Sequence, residues 1–238
     1  MKQKAAFFIV ALGLMLAVMF KPSHKSEDYF YSRTVKLLGN GRFCSGEQVQ
    51  APSGESYILT AAHCRPLADK DGVVDVIKED GTHIPRKVVL EDKASDLLLL
   101  EGLPGIRGLE IAKHVYPHQH VRTYTHGRAY NTYKTEGVII QDQQVDILIR
   151  PIQSLEDQQM CESMPKYKVK DVDSFFGPVK GCFMEVSETL TTAFITHGSS
   201  GGMVVDDDGR LVGVVSAGDD LYGCLVQLDD IKAFLKGF

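Results

Sequence analysis

From Thr34 onward the chain is cut by turn signals into short apolar runs, and few stretches keep a helical period for long. Runs of this kind, rich in β-branched and aromatic residues and bounded by Gly, Asp or Asn, are read as strands. Tyr57-Ile58-Leu59-Thr60 is one, following Ser53-Gly54. Residues 73–78 and 83–90 alternate in polarity, and Asp80-Gly81 between them is a hairpin signal. Leu97-Leu98-Leu99-Leu100 is apolar throughout, as expected of a strand buried on both faces. Gly137-Val138-Ile139-Ile140 and residues 145–149 supply two further strands. Met203-Val204-Val205, the turn Asp208-Gly209 and residues 211–216 make a hairpin. The pattern defines an all-β protein. Two stretches depart from it. Residues 152–180 are polar and are read as an insertion or long loop bounded by Cys161 and Cys182. Residues 228–238 predict a closing amphipathic helix, capped by Asp229 or Asp230, with Ile231, Phe234 and Leu235 on one face.

The N-terminus carries a different signal. Lys2 and Lys4 precede an unbroken apolar run over residues 5–20, followed by Lys21-Pro22 and a polar stretch over residues 21–33 that reads as a stem. A basic segment ahead of a short apolar one is the pattern of an export signal. No small-residue cleavage site closes the run, so the alternatives are a cleaved signal and membrane anchoring through residues 5–20. In either case the bulk of the chain is exported, to a periplasmic or extracellular location. Five cysteines (Cys44, Cys64, Cys161, Cys182 and Cys224) can pair in such a compartment, and an odd number leaves at least one outside an internal bridge. The net charge of −5, with no sustained Lys/Arg stripe, argues against nucleic acid as a partner.

Three clusters carry chemistry. In the first, an apolar strand ends in Ala61-Ala62, which lets other backbone come close, and His63-Cys64 follows, with Phe43-Cys44 upstream. A base that must hold its imidazole in one orientation gains from a crosslink beside it, and closing such a loop is worth roughly 3 kcal/mol. Cys44 and Cys64, flanking the histidine strand, are therefore expected to form a disulfide. In the second, Asp96 directly precedes the apolar run from Leu97; a carboxylate that orients a histidine needs that shelter from water. In the third, Gly198-Ser199-Ser200-Gly201-Gly202 runs straight into Met203-Val204-Val205, unlike a flexible linker. Gly198 lets its N–H turn inward, and Gly201 and Gly202 let the chain turn behind an exposed hydroxyl. The N–H groups of Gly198 and Ser200 can then point together at an oxyanion.

These motifs resemble those of the trypsin-like serine peptidases. Thr60-Ala61-Ala62-His63-Cys64 is similar to that family's histidine motif, Ser95-Asp96-Leu97-Leu98-Leu99 to its aspartate strand, and Gly198-Ser199-Ser200-Gly201-Gly202 to its serine motif. The order His, Asp, Ser is the chymotrypsin order. The resemblance implies two six-stranded antiparallel β-barrels with the site between them and a short C-terminal helix. It divides the chain into a signal or anchor and stem over residues 1–28 and a peptidase domain over 29–238. Barrel one would span about 34–115, barrel two about 121–227 and the helix about 228–238. It further implies a serine endopeptidase with His63, Asp96 and Ser200 as triad, Gly198 and Ser200 as oxyanion hole, a polypeptide substrate and no cofactor. Phe194, His197, Ser216, Ala217 and Gly218 would meet the substrate, the last three as an edge that pairs with its backbone. Phe194 stands where trypsins place an acid, and Val215 where glutamate-specific relatives carry a histidine, so an apolar or uncharged side chain is expected before the scissile bond. Ser199 replaces the acid that a freed N-terminus engages in zymogen-type relatives, and the compact hairpin after Ser200 is closer to bacterial and viral members. Non-catalytic binding on the same fold and ester hydrolysis are the competing readings. His118-Gln119-His120 is read as an exposed connection and Asp69-Lys70-Asp71-Gly72 as a turn, so no metal is expected. Cys161 with Cys182, leaving Cys224 out, is one of several pairings open for the other cysteines.

Overall fold

The computed structural model describes residues 25–127, 132–163, 167–174, 177–218 and 222–238. The expected signal at residues 5–20 lies outside them, and no helix among the described residues is long and apolar enough to cross a membrane.

Strands β1 (Thr34–Gly39), β2 (Arg42–Gln50), β3 (Ser56–Ala61), β4 (Val73–Ile77), β5 (His83–Asp92) and β6 (Leu97–Glu101) close into a barrel in the order β1-β2-β3-β6-β5-β4. Leu97, Leu98, Leu99 and Leu100 are each 0% exposed, which is why these four positions of β6 are all apolar. Leu98 and Leu100 pack with Val35, Ile58 and Val76 inside this barrel, whereas Leu97 and Leu99 pack with Tyr124, Met203 and Val214 of the second. Successive side chains of a strand point to opposite faces, so one leucine run serves two cores.

The second unit comprises β7 (His120–Thr125), β8 (Tyr133–Pro151), β9 (Tyr167–Ser174), β10 (Gly177–Thr191), β11 (Met203–Val205), β12 (Leu211–Gly218) and β13 (Gly223–Val226). The order is β13-β12-β11-β7-β8-β10-β9, and pairing of β10 with β13 closes six strands into a second antiparallel barrel, with β9 outside it. The hairpin expected at Asp208-Gly209 joins β11 to β12. Two parallel bridges, Val49 with Leu109 and Ile111 with Leu211, tie the connecting segment to both barrels.

Four sequence expectations change. The two strands expected at residues 137–140 and 145–149 are one continuous strand, β8, because Asp142, Gln143 and Gln144 between them keep the pairing with β10. Residues 152–180 are a helix, α2 (Leu155–Glu162), followed by β9 and the start of β10, in place of a loop. Ser154 caps α2 and the Cys161–Cys182 disulfide ties it to β10, so local hydrogen bonds and a crosslink replace an apolar stripe. The stem does not extend to residue 33: α1 (Glu27–Tyr31), capped by Ser26, buries Phe30 completely. Phe30 stacks on Tyr124 at 4.7 Å between ring centroids, and Arg33 lies over the Tyr29 ring at 3.6 Å. The closing helix, α3 (Leu228–Leu235), buries Ile231, Phe234 and Leu235, but its cap position is Gln227 and Asp229 and Asp230 lie in its first turn.

Candidate active site

Strand β3 ends at Ala61 and the chain turns through a short 3₁₀ segment, Ala62–Leu67, which carries His63 and Cys64. The two alanines admit the backbone of Asp96, whose carbonyl accepts from Ala62 N at 3.0 Å. Asp96 sits in the tight turn before β6 with a left-handed φ of 53°, a strained conformation for a residue other than glycine. That turn aims its carboxylate at the histidine: Oδ1 accepts from His63 N at 2.9 Å, and Oδ2 lies 2.9 Å from His63 Nδ1. Nδ1 therefore carries the proton when the ring is neutral, and Nε2 is the free base. Ser216 Oγ, from β12, donates to the same Oδ2 at 2.9 Å. Partial burial pulls the imidazole down, but the Asp96 hydrogen bond and charge and the Glu188 charge outweigh it, so His63 titrates above the ordinary histidine value. Cys44 and Cys64 form the expected disulfide, pinning the histidine turn to β2.

The serine loop is held from barrel one. Ser45 N donates to Ser200 O at 2.8 Å, Ser45 Oγ donates to Gly198 O at 2.8 Å, and Thr60 Oγ1 donates to Ser45 O at 2.7 Å. The loop lies so close that only glycine fits at two positions. A Cβ on Gly198, whose φ is +92°, would lie 2.0 Å from the Phe43 ring, and one on Gly201 would lie 2.0 Å from Thr60 Oγ1. With the chain so fixed, neither Gly198 N–H nor Ser200 N–H donates to any group among the described residues. No hydrogen bond joins Ser200 Oγ to His63 among the described residues. Catalytic bonds are often long before substrate binds.

Ser199 is fully buried, and its hydroxyl is the centre of a small network. It meets Tyr133 Oη at 2.5 Å and Thr125 Oγ1 at 3.2 Å, and accepts from Thr196 N at 3.3 Å. Neither Tyr133 nor Thr125 was legible as a partner in the sequence.

The expected substrate positions gather in one cleft of about 370 Å³, lined by Phe194, His197, Gly198, Ser200, Val215, Ser216, Ala217 and Gly218 with Ile195 and Thr196. Phe194 is 58% exposed and lies at the rim, not the floor. Ile195, which the sequence reading passed over, takes the inner place. Its side chain is 3.1 Å from where a Cβ on Gly218 would stand and 2.1 Å from one on Gly223. It packs against Gly218, which lines the cleft, and against Gly223. Asp219 and Asp220, which follow Gly218 in the sequence, lie outside the described residues. Cys224 is in no disulfide. Among the histidines, His120 lies in β7, where its Nδ1 meets Asp207 Oδ1 at 2.8 Å and its Nε2 lies 3.8 Å from Glu136. The turn at Asp69-Lys70-Asp71-Gly72 is closed by Asp69 Oδ1, which accepts from Asp71 N and Val73 N.

The model of the trypsin-like peptidase domain family matches residues 39–214, and the chain belongs to that family. Its architecture is that of the chymotrypsin-like fold, and its class is serine-type peptidase. Among solved structures it is similar to the Rv3671c protease from M. tuberculosis in its active form, at 18% identity over 89% of this chain and 83% of that one, with a TM-score of 0.62. The inactive form of the Rv3671c protease is matched at 18% identity over 88% of this chain and 90% of that one, with a TM-score of 0.61. No curated protein matches the sequence. Two disulfides fit an oxidising environment outside the cytoplasm.

Proposed function

We propose that the chain hydrolyses peptide bonds through an acyl-enzyme on Ser200, with His63 as general base and Asp96 as its orienting carboxylate. The observation that carries this is the pair of unclaimed N–H groups on Gly198 and Ser200, set in the cleft whose Ser216 hydrogen-bonds Asp96. An oxyanion formed on the substrate carbonyl is stabilised there by two donors that need no reorganisation. His63 Nε2 takes the Ser200 proton and returns it to the leaving amine, while Asp96 holds the tautomer and steadies the imidazolium. Residues 216–218 pair with the substrate backbone by strand addition, with His197 and Phe194 beside it. Ile195 closes the inner part of the cleft, which favours a small uncharged side chain before the scissile bond. The apolar run at residues 5–20 serves as export signal or anchor, and the folded domain, which includes α1, acts on polypeptides outside the cytoplasm.

A fluorophosphonate probe and a peptide library test this together. Wild type is expected to be labelled on Ser200 and to cleave after small uncharged residues. Ser200→Ala should lose labelling and turnover, keeping only the residual catalysis of binding and the oxyanion hole. Ile195→Gly should extend cleavage to larger apolar residues. An unlabelled wild type would favour a binding-only relative, cleavage of nitrophenyl esters without peptides an esterase, and selectivity for Lys or Arg would overturn the pocket assignment.

A further inference from the structure

Ser45 sits where β2 has not yet met β3. The β2–β3 pairing begins at Glu47 opposite Leu59, so at Ser45 the strand edge is open toward the second barrel. On that edge Ser45 N–H is taken by Ser200 O at 2.8 Å and Ser45 O by Thr60 Oγ1 at 2.7 Å. The side chain is 0% exposed, and His126 N donates to its Oγ at 2.8 Å. Two carbonyls lie within reach of that hydroxyl, Gly198 O at 2.8 Å and His126 O at 3.4 Å. A serine hydroxyl has one proton to give. With the His126 amide filling a lone pair, the proton goes to the nearer carbonyl, that of Gly198.

The peptide units of the serine loop are tied unequally. The Ser199–Ser200 unit, which carries one oxyanion N–H, is held because Ser199 O accepts from Gly202 N at 2.8 Å. The Gly198–Ser199 unit is held at both ends: Ser45 Oγ binds Gly198 O, and Ser199 N donates to Thr196 O at 3.0 Å. The His197–Gly198 unit carries the other oxyanion N–H and has no hydrogen bond at either end among the described residues. Its direction is therefore set through Gly198, whose φ is +92°. Glycine takes positive and negative φ about equally readily, so Gly198 does not select this conformation by itself. The adjoining Gly198–Ser199 unit selects it, as long as its carbonyl stays turned to Ser45.

Resting on the peptidase reading above, we propose that Ser45 is a positioning residue of the oxyanion hole: its hydroxyl, oriented by the His126 amide, holds the Gly198 carbonyl against barrel one and so fixes the Gly198 N–H toward the cleft. Ser45 touches neither the substrate nor the reacting atoms; it acts through Gly198. One hydroxyl thus joins β2 of the first barrel to the end of β7 and the serine loop of the second, and the hole is complete only when the barrels are docked. Without the hydroxyl, Gly198 O loses its buried partner, and the Gly198–Ser199 unit is free to turn and carry the Gly198 N–H out of line.

The test compares Ser45→Ala, which loses the hydroxyl and keeps the backbone bond to Ser200 O, with Ser45→Thr, which keeps both. On a peptide with a small uncharged residue before the scissile bond, S45A is expected to lose about tenfold in kcat with KM nearly constant, the value of roughly one hydrogen bond used in the transition state. S45T should recover kcat to within about threefold of wild type. The second readout needs no turnover: ¹⁵N relaxation dispersion at the amides of Gly198, Ser199 and Ser200, which senses exchange between loop orientations. Flat profiles are expected in wild type and S45T, and dispersion in S45A. Wild-type kcat in S45A would overturn the proposal, as would a rise in KM alone, S45T as slow as S45A, or flat profiles in S45A. Dispersion at Gly198 in the wild type would overturn it whatever the variants do. A wild type inert toward the fluorophosphonate, with dispersion in S45A alone, would count against the peptidase reading and support the hold of Ser45 on the loop.

Discussion

At the scale of single residues, the serine loop is tied down by neutral hydroxyl and amide groups. Ser199, flanked by Gly198 and Ser200, is fixed by Tyr133, Thr125 and the Thr196 amide. Tyr133→Phe removes one hydroxyl from this network without changing the ring. The expected effect is a fall of about tenfold in kcat, with KM nearly constant, because the oxyanion donors are used mainly in the transition state. Its melting temperature should stay within about 4 °C of wild type, as for the loss of roughly 1 kcal/mol. A variant with wild-type kcat, or one that loses only substrate affinity, would show that the loop is ordered by its backbone alone.

At the scale of elements, the clearest departure from sequence expectation is α1. Polar residues at 26–28 mark it as a stem, yet Phe30 enters the space between the barrels and stacks on Tyr124. Phe30→Ala is expected to cost about 3–5 kcal/mol, measured by urea unfolding, as for a buried ring removed from a packed site. A cost below about 1 kcal/mol would mean that α1 rides on the surface and contributes little. The motifs around His63, Asp96 and Ser200 were legible because the chemistry demands a local signature: alanines for close approach, an apolar strand behind an acid, glycines around a hydroxyl. So was the 97–100 strand, since two cores flank it. The roles of Ser45, Ile195 and Phe30 were not legible, because their surroundings are built from segments far apart in sequence. Nothing near Ser45 in the chain announces His126 or Gly198. The helix α2 was missed for the opposite reason, having no apolar stripe by which to be found.

At the scale of the whole molecule, the junction of the two barrels contains one costly residue. Glu47, on β2, pairs across the sheet with Thr34 and Leu59 and shares a strand face with Val49, which packs in the inter-barrel core. It is 0% exposed, and neither carboxylate oxygen has a partner. Burial alone raises its carboxyl well above the ordinary value. The folded state thus keeps a proton that the unfolded chain releases, and the native protein binds more protons. The contribution of Glu47 to stability is therefore fully present below the ordinary carboxylate range and is lost as pH rises through the raised folded value. Glu47→Gln is expected to remove that part of the decline: close to wild type in acid, and more stable than wild type at neutral to mildly alkaline pH, by urea unfolding at each pH. Parallel pH curves for the two proteins would show that Glu47 does not titrate on unfolding.

The Ser199 network has a consequence beyond its geometry. If the Tyr133→Phe test bears out that these neighbours set the oxyanion loop, the protein is armed as soon as it has folded. Nothing in the Tyr133–Ser199–Thr125 contact can be withheld by keeping a few residues attached to the front of the chain. Restraint must then come from timing and geography: from when the chain folds, which side of a membrane it folds on, and which polypeptides are allowed near its cleft.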